Sequence, residues 1–234
     1  RTVVSQRALQ AHTDQFLLDE RGEPRAVAGV PPDYFSATGQ RWGNPLYQWD
    51  AMAHDGYRWW KQRMAHLLSQ VDLARLDHFR GFEAYWKIPA SEPTAQGGQW
   101  CAGPGKPFFH ALKDELGALP IIAEDLGIIT DAVNRLRRDC GFPGMRVMQF
   151  AFGDTARNPY LPHNFEPCTV AYTGTHDNDT TVGWWAQAND AAERRRVAQR
   201  AAHVRAVGER HHAGGQCARG AATRAAGRPG RVDG

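Results

Sequence analysis

The sequence predicts an α/β fold organised around a parallel sheet, and three observations lead to this prediction. From Tyr57 onward, short apolar runs alternate with amphipathic helical segments, which is the pattern of consecutive βα units. Acidic residues and histidines follow these apolar runs. A doubly wound sheet is the alternative, but no glycine-rich phosphate loop follows any run. We therefore expect most of a (β/α)8 barrel, whose functional residues come from the carboxyl ends of several strands.

The expected elements follow one another in order from Tyr57. Three segments predict helices through their apolar spacing, caps and stops: YRWWKQRMAHLLSQ from Tyr57, KPFFHALKDELG from Lys106 and TDAVNRLRRDCGFPG from Thr130. Four mostly apolar segments predict strands: VDLARLD from Val71, LPIIAEDLG from Leu119, MRVMQFAF from Met145 and CTVAYTGTH from Cys168. Four strands do not close an eight-stranded barrel, so we expect a partial barrel that lacks strands at both ends.

Residues 12–56 have a different character from the rest. They are rich in proline, glycine and aromatic residues, and no period of 2 or 3.6 persists. This composition predicts either one long structured loop or a set of short elements. Because long loops in compact domains are usually functional, the tyrosines and tryptophans here favour a binding surface. Trp184 and Trp185, in contrast, are expected in the core.

Charge and composition separate the end of the chain from what precedes it. The net charge is +3, but residues 187–234 contain ten arginines and four acidic residues, a net of +6, which leaves −3 for residues 1–186. Residues 187–234 also lack Leu, Ile, Phe, Tyr, Trp and Met. We expect a disordered or frame-shifted tail. A nucleic-acid-binding arm is disfavoured, because no aromatic residues interleave the arginines.

Several classes of protein are excluded by the composition. No apolar run approaches the roughly 20 residues of a membrane span, and the first residues do not resemble a signal peptide. The four cysteines form no CxxC pair and no zinc-type cluster, which favours reduced thiols over a disulfide framework. We expect a cytoplasmic protein with no nucleic-acid or membrane partner, and the sequence leaves its oligomeric state open.

Three acidic residues at predicted strand ends form the candidate catalytic set. Asp77 follows Arg75, which should keep its carboxylate ionised. Glu124 follows the apolar run PIIA, where burial should raise its pKa. Asp177 lies between His176 and Asn178. Taken singly, each residue has a more common structural explanation. Asp77 would form a structural ion pair with Arg75, Glu124 would be a charge at a helix N-terminus, and Asp177 would be a polar loop residue. Together, a nucleophilic carboxylate and a protonated acid are what retaining glycoside cleavage requires.

Five ordered motifs make a family resemblance specific. The segments VAGVPPDYFSATGQRWGNPLY, ARLDHFRGFEAYWKIP, IIAEDLG, VMQFAFG and TGTHDNDTTVGWW resemble the amylomaltases, the 4-α-glucanotransferases of glycoside hydrolase family 77. The resemblance runs from about His12 to Trp185. It implies a partial barrel of the α-amylase type over residues 12–186, with a substrate-binding loop at about 26–56. Residues 1–11 form an atypical segment outside the resemblance, and residues 187–234 form the tail.

The resemblance also implies a role for each motif residue. The enzyme would transfer an α-1,4-glucan segment to the 4-hydroxyl of another glucan with retention of configuration, in starch, glycogen and maltodextrin metabolism. Asp77 would be the nucleophile, Glu124 the general acid and base, and Asp177 the transition-state stabiliser. The substrate-binding residues would be Arg75, His78, His176, Trp42, Gln40, Phe150 and Asp154. Because two carboxylates would carry this chemistry, the resemblance implies no metal or organic cofactor. An α-1,4-glucan hydrolase and a catalytically inactive glucan-binding fragment are the alternatives.

Overall fold

The computed structural model describes residues 12–33, 36–152, 155–187 and 197–198. The chain divides into two compact units, Arg1–Gly141 and Phe142–Gly234. The expected segment 1–11 and nearly all of the expected tail lie outside the described residues. The strands are β1 (Ala26–Val30), β2 (Gln40–Pro45), β3 (Ala74–Leu76), β4 (Ala84–Pro89), β5 (Gln99–Ala102), β6 (Ile121–Ala123), β7 (Gly144–Val147) and β8 (Thr169–Tyr172). The α-helices are α1 (Trp49–His54), α2 (Arg58–Gln70), α3 (Gly105–Leu116), α4 (Asp131–Cys140) and α5 (Thr181–Gln187).

The first unit contains a parallel strand pair that was predicted from the sequence. Strands β3 and β6 are hydrogen-bonded in parallel, with Leu76 opposite Ala123. All three residues of β6 are buried, which explains why this strand is a continuous apolar run. The last residues of β3 and β6 lie at the same level, so the residues that follow them emerge side by side.

The helices that flank these strands begin and end for recognisable reasons. Helix α4 begins after Thr130, whose hydroxyl accepts a hydrogen bond from the Val133 amide at 3.4 Å. It ends at Gly141, which adopts the left-handed conformation with φ of +75°. Helix α3 buries Phe108, Phe109 and Leu112. The predicted helices from Tyr57, Lys106 and Thr130 are therefore confirmed.

A four-stranded antiparallel sheet in the first unit was not predicted. Its strand order is β2-β1-β4-β5, and β1 pairs with β4 from Ala26 opposite Pro89 to Gly29 opposite Trp86. Residues 12–56 are thus a set of short elements, one of the two predicted possibilities. The expectation of parallel strands from Tyr57 onward is wrong for β4 and β5, because antiparallel pairing between segments so far apart is fixed by tertiary contacts.

An aromatic core supports the loop that follows β3. Phe79 and Phe82 are buried, and their rings lie 5.6 Å from that of Phe109 and 5.2 Å from that of Phe108, respectively. Both partners belong to α3. Aromatic pairs at this separation add stability beyond the area that they bury. The loop containing Asp77 and His78 is therefore anchored to a helix by the residues just after it.

The second unit contains the other predicted parallel pair. Strands β7 and β8 pair in parallel from Gly144 opposite Thr169 to Val147 opposite Tyr172. The expectation that Trp185 belongs to the core is wrong: it lies on α5, a helix without buried residues, and remains 39% exposed. One short amphipathic turn cannot bury both neighbouring tryptophans, because consecutive helical residues point in different directions.

Two further features bear on the sequence predictions. Cys101 and Cys140 are free thiols, whereas Cys168 forms a disulfide, so the prediction of reduced thiols is wrong for Cys168. Disulfide formation depends on proximity in space, which cysteine spacing along a sequence does not reveal. Within the described part of the chain, no helix has both the length and the hydropathy needed to cross a bilayer.

Candidate active site

The end of strand β3 supplies the first half of the candidate site. Arg75 lies within the strand, and its guanidinium donates a hydrogen bond to the carboxylate of Asp77, one residue beyond the strand end. The Arg75 and Asp77 side chains are 26% and 35% exposed. His78 then adopts the left-handed conformation, with φ of +48°, which is uncommon for a residue with a side chain. This turn directs the His78 amide towards the neighbouring strand.

The end of strand β6 supplies the second half. Glu124 follows Ala123 directly, and its carboxylate accepts two backbone hydrogen bonds. The His78 amide donates to Oε2 at 2.8 Å, and the Leu126 amide donates to Oε1 at 2.8 Å. The Glu124 backbone also continues the ladder, because its amide donates to the Leu76 carbonyl at 3.0 Å. Glu124 is therefore held by donors from both strand ends.

The strand register sets Asp77 and Glu124 beside each other. Leu76 is opposite Ala123, so Asp77 and Glu124 are the next residues along two neighbouring parallel strands. Adjacent strands lie about 4.8 Å apart. The two carboxylates that retaining glycosidases use stand about 5 to 5.5 Å apart, and this register is compatible with such a separation. Of the three acids predicted to converge at strand ends, the structure sets Asp77 and Glu124 side by side, and Asp177 belongs to the second unit.

The two carboxyl groups have opposite pKa shifts. Burial acts to raise the pKa of Asp77, but the hydrogen bond and charge of Arg75 are among the contributions that lower it below its usual value. Burial raises the pKa of Glu124, more than the backbone donors of Leu126 and His78 lower it, and the charge of Asp77 raises it further. These shifts favour the ionised form of Asp77 and the protonated form of Glu124.

One predicted substrate-binding residue from β2, Trp42, contacts His78, the residue after Asp77. The Trp42 ring meets the His78 ring edge-on, with centroids 4.7 Å apart. The Trp42 indole nitrogen donates to the side-chain oxygen of Gln40 at 3.1 Å. Burial, followed by the charge of Arg80, lowers the pKa of His78 to about 4, so the imidazole is neutral at pH 7. The structure therefore brings Gln40, Trp42, Arg75, Asp77, His78 and Glu124 together.

The remaining predicted residues belong to the second unit. His176 and Asp177 follow β8 on an exposed turn, and the His176 Nε2 lies 3.4 Å from the Asp177 Oδ2. Asn178 fixes this turn, because its side-chain oxygen accepts from the amide and the hydroxyl of Thr175, both at 2.9 Å. Phe150 follows β7 and is 43% exposed. Asp154 lies outside the described residues.

Some features of the site were not anticipated from the sequence. The backbone donors of His78 and Leu126 carry no signal in a sequence, since any residue has an amide. Arg80 was not singled out, yet its guanidinium lies 4.2 Å from the centre of the Trp100 ring and donates to the Ile128 carbonyl at 2.6 Å. Among the residues that the structure describes, no group of three or more His, Cys, Asp or Glu is placed to hold a metal ion.

Comparison with known proteins agrees with this geometry. A family model described as 4-alpha-glucanotransferase, glycoside hydrolase family 77, matches residues 7–226. The 4-alpha-glucanotransferase of Thermus thermophilus is 56% identical over 177 residues, covering 75% of this chain and 35% of the relative. The chloroplastic/amyloplastic 4-alpha-glucanotransferase of Solanum tuberosum is 54% identical over 175 residues, covering 75% and 30%. The chain thus spans about a third of the length of these relatives.

Solved structures show the same similarity. An amylomaltase from Streptococcus agalactiae in complex with acarbose has a TM-score of 0.76 at 41% identity, covering 80% of this chain and 38% of that one. An amylomaltase from Corynebacterium glutamicum, at 22% identity and a TM-score of 0.65, shows similarity of fold. The family model covers most of the sequence and includes both strand ends of the candidate site. This chain is therefore a member of the 4-alpha-glucanotransferase family, glycoside hydrolase family 77.

Proposed function

We propose that this chain carries the nucleophile and the general acid of a 4-α-glucanotransferase, which transfers a segment of an α-1,4-glucan to the 4-hydroxyl of another glucan or of glucose. The observation that carries the proposal is the register of β3 and β6, which sets Asp77 beside Glu124. Their opposite pKa shifts fit a nucleophile paired with a proton donor.

In the first step, a carboxylate oxygen of Asp77 attacks the anomeric carbon of the donor sugar. The glycosidic C–O bond breaks, and Glu124 gives its proton to the departing 4-oxygen. Arg75 keeps Asp77 anionic, so that its electron pair is available for the new bond. The products of this step are a β-linked glycosyl ester on Asp77 and a shortened glucan that leaves.

In the second step, Glu124 is ionised and accepts the proton of an acceptor 4-hydroxyl. The acceptor oxygen attacks the anomeric carbon, the ester bond to Asp77 breaks, and the α configuration is restored after two inversions. Water in place of the sugar would give hydrolysis, the alternative activity. The family membership of the chain favours transfer over hydrolysis.

The other residues receive their roles from the motif resemblance. We assign donor-sugar binding to His78, whose neutral imidazole both donates and accepts hydrogen bonds, and glucan stacking to Trp42 with support from Gln40. His176, Phe150 and Asp154 are further glucan-binding residues in this proposal, and Asp177 stabilises the transition state. α-1,4-Glucans and maltooligosaccharides are the proposed substrates, and the Streptococcus agalactiae neighbour was solved with acarbose.

We also propose which fold the parallel strands belong to and where the protein is located. The parallel pairs β3–β6 and β7–β8 are strands of a (β/α)8 barrel of the α-amylase type, as the amylomaltase neighbours support. A cytoplasmic location remains a prediction, because one similar plant relative is named chloroplastic/amyloplastic.

The test is the product ladder formed from maltotriose by the purified chain. Transfer predicts glucose together with maltopentaose and longer chains, and Asp77→Asn should remove all of them. Asp72→Asn is the matched control, because Asp72 is exposed and lies before β3. Glucose and maltose without longer chains would show a hydrolase. A folded chain that forms no product from maltotriose would refute the proposed activity for this chain.

A further inference from the structure

A fully buried ion pair lies directly beside the proposed acid. Asp125, the residue after Glu124, pairs with Arg137 of α4, with the Arg137 Nε 3.3 Å from the Asp125 Oδ2. The two side chains are only 2% and 1% exposed. Other ion pairs of this unit are far more open; Lys106 and Asp139, for example, are 50% and 46% exposed.

A buried ion pair contributes little net free energy to the stability of a fold. Removing two charges from water carries a desolvation penalty that their attraction barely offsets, and apolar residues of similar volume often stabilise a fold equally well. What a buried pair does provide is a fixed position for its partners, because displacing either charge leaves the other unpaired in a medium of low dielectric. The segment fixed here is the one that carries Glu124.

The position of the pair explains the geometry of the Glu124 carboxylate. Asp125 lies between Glu124 and Leu126, whose amide donates to the Glu124 Oε1 at 2.8 Å. The bond therefore depends on the backbone conformation of residues 124–126. Arg137 comes from the last turn of α4, a capped helix, and its ion pair with Asp125 ties the middle residue of this segment to that helix.

We propose that Asp125 and Arg137 are positioning residues for the general acid and base: the buried pair locks residues 124–126, so that the Leu126 amide orients the Glu124 carboxylate towards the scissile bond. This inference rests on the proposed role of Glu124. Neither residue touches substrate. Their loss should impair the proton transfers by Glu124 rather than the attack by Asp77.

The direct test is hydrogen exchange of the Leu126 amide, measured by NMR on the purified chain. Asp125→Asn should accelerate exchange of this amide by about tenfold, the equivalent of one lost hydrogen bond, relative to the amides of β4. Asp139→Asn, the same chemical change in an exposed pair on the same helix, should leave it unchanged. Equal exchange in Asp125→Asn and the parent chain would overturn the inference, whatever the activity. Arg137→Lys, which keeps the charge but loses the planar fork, gives the same test if Asp125→Asn does not fold.

A kinetic comparison separates positioning from simple loss of structure. Fluoride needs no proton to leave, so the first turnover of α-maltosyl fluoride requires Asp77 but little help from Glu124. Asp125→Asn should lower kcat for maltotriose by about 10- to 100-fold, the scale of a misplaced catalytic group, with KM little changed. Its first-turnover fluoride release should stay within about threefold of the parent, since general acid catalysis is not needed there. Equal losses on both substrates would overturn the inference, whereas a parent chain inactive on both would instead refute the proposed function.

Discussion

Replacing Arg75 with methionine tests the electrostatic basis of the proposed mechanism. Two unit charges about 4 Å apart interact by about 1 kcal/mol in water and about 4 kcal/mol at an effective dielectric of 20. Arg75 and Asp77 are 26% and 35% exposed, so solvent screens the pair and a value of about 1 to 2 kcal/mol is appropriate. Arg75→Met should therefore raise the pKa of Asp77 and destabilise its anion by about 1 to 2 kcal/mol, the equivalent of about a tenfold loss of the ionised form on the acidic side.

The sign of this change can be read from a pH–rate profile. In the proposed mechanism transfer requires ionised Asp77, so activity rises with pH through the pKa of Asp77, and the acidic limb should move to higher pH in Arg75→Met. Arg75 also lowers the pKa of Glu124, so its loss should move the alkaline limb upward too. The limbs belong to the coupled pair rather than to single residues. The assay is kcat/KM for maltotriose disproportionation, with Arg58→Met, an exposed cation, as control. An acidic limb that does not move in Arg75→Met would refute the reasoning.

The other predictions concern the acid, a buried histidine and the core. Glu124→Gln should lower transfer from maltotriose by about 10²- to 10⁴-fold, yet keep first-turnover release of fluoride from α-maltosyl fluoride; equal loss in both assays would argue against a proton-donating role. His78 has its pKa lowered to about 4 from 6.5, so the unfolded chain takes up its proton first, and the free energy of unfolding should fall by about 3 kcal/mol as pH drops from 6.5 to 4. His78→Asn, which tolerates the left-handed backbone, should flatten this part of the urea-midpoint profile, and an unchanged slope would contradict the assignment. Leu112→Ala on α3, at a fully buried position, should cost about 2 to 5 kcal/mol in urea unfolding. Leu73→Ala, at a position 48% exposed, should cost less than about 1 kcal/mol, and similar costs for both would contradict the described core.

The parallel part of the fold was predictable because its elements are locally encoded. Strand β6 is buried throughout and reads as an apolar run, and α4 has a threonine cap and a glycine stop. The antiparallel sheet was not predictable in the same way. Residues 84–89 are mostly half-buried on both faces, so β4 shows no alternation of polar and apolar residues. Its pairing with β1 joins segments more than fifty residues apart, which local patterns do not encode.

The candidate site also contains residues that were predictable from the sequence and features that were not. Asp77 and Glu124 were predictable because each follows a recognisable strand. The direction of each pKa shift was also predictable, since Arg75 adjoins Asp77 and an apolar run precedes Glu124. The features that orient these two carboxylates were not predictable from the sequence. The left-handed turn at His78 and the Leu126 amide are backbone features, and the ion pair between Asp125 and Arg137 depends on how α4 docks. The sequence therefore predicts these two candidate acids more readily than the features that orient them.

The measurement that tests the central claim most directly is the identification of the residue that carries the glycosyl ester. Glu124→Gln should be treated with α-maltosyl fluoride, because attack by Asp77 needs no acid while release of the ester needs the base. Peptide mass spectrometry should then find one maltosyl group on the peptide containing Asp77, and none in the double variant Asp77→Asn/Glu124→Gln. A maltosyl group on any other residue, or bound substrate without an ester, would contradict the assignment of Asp77 and Glu124.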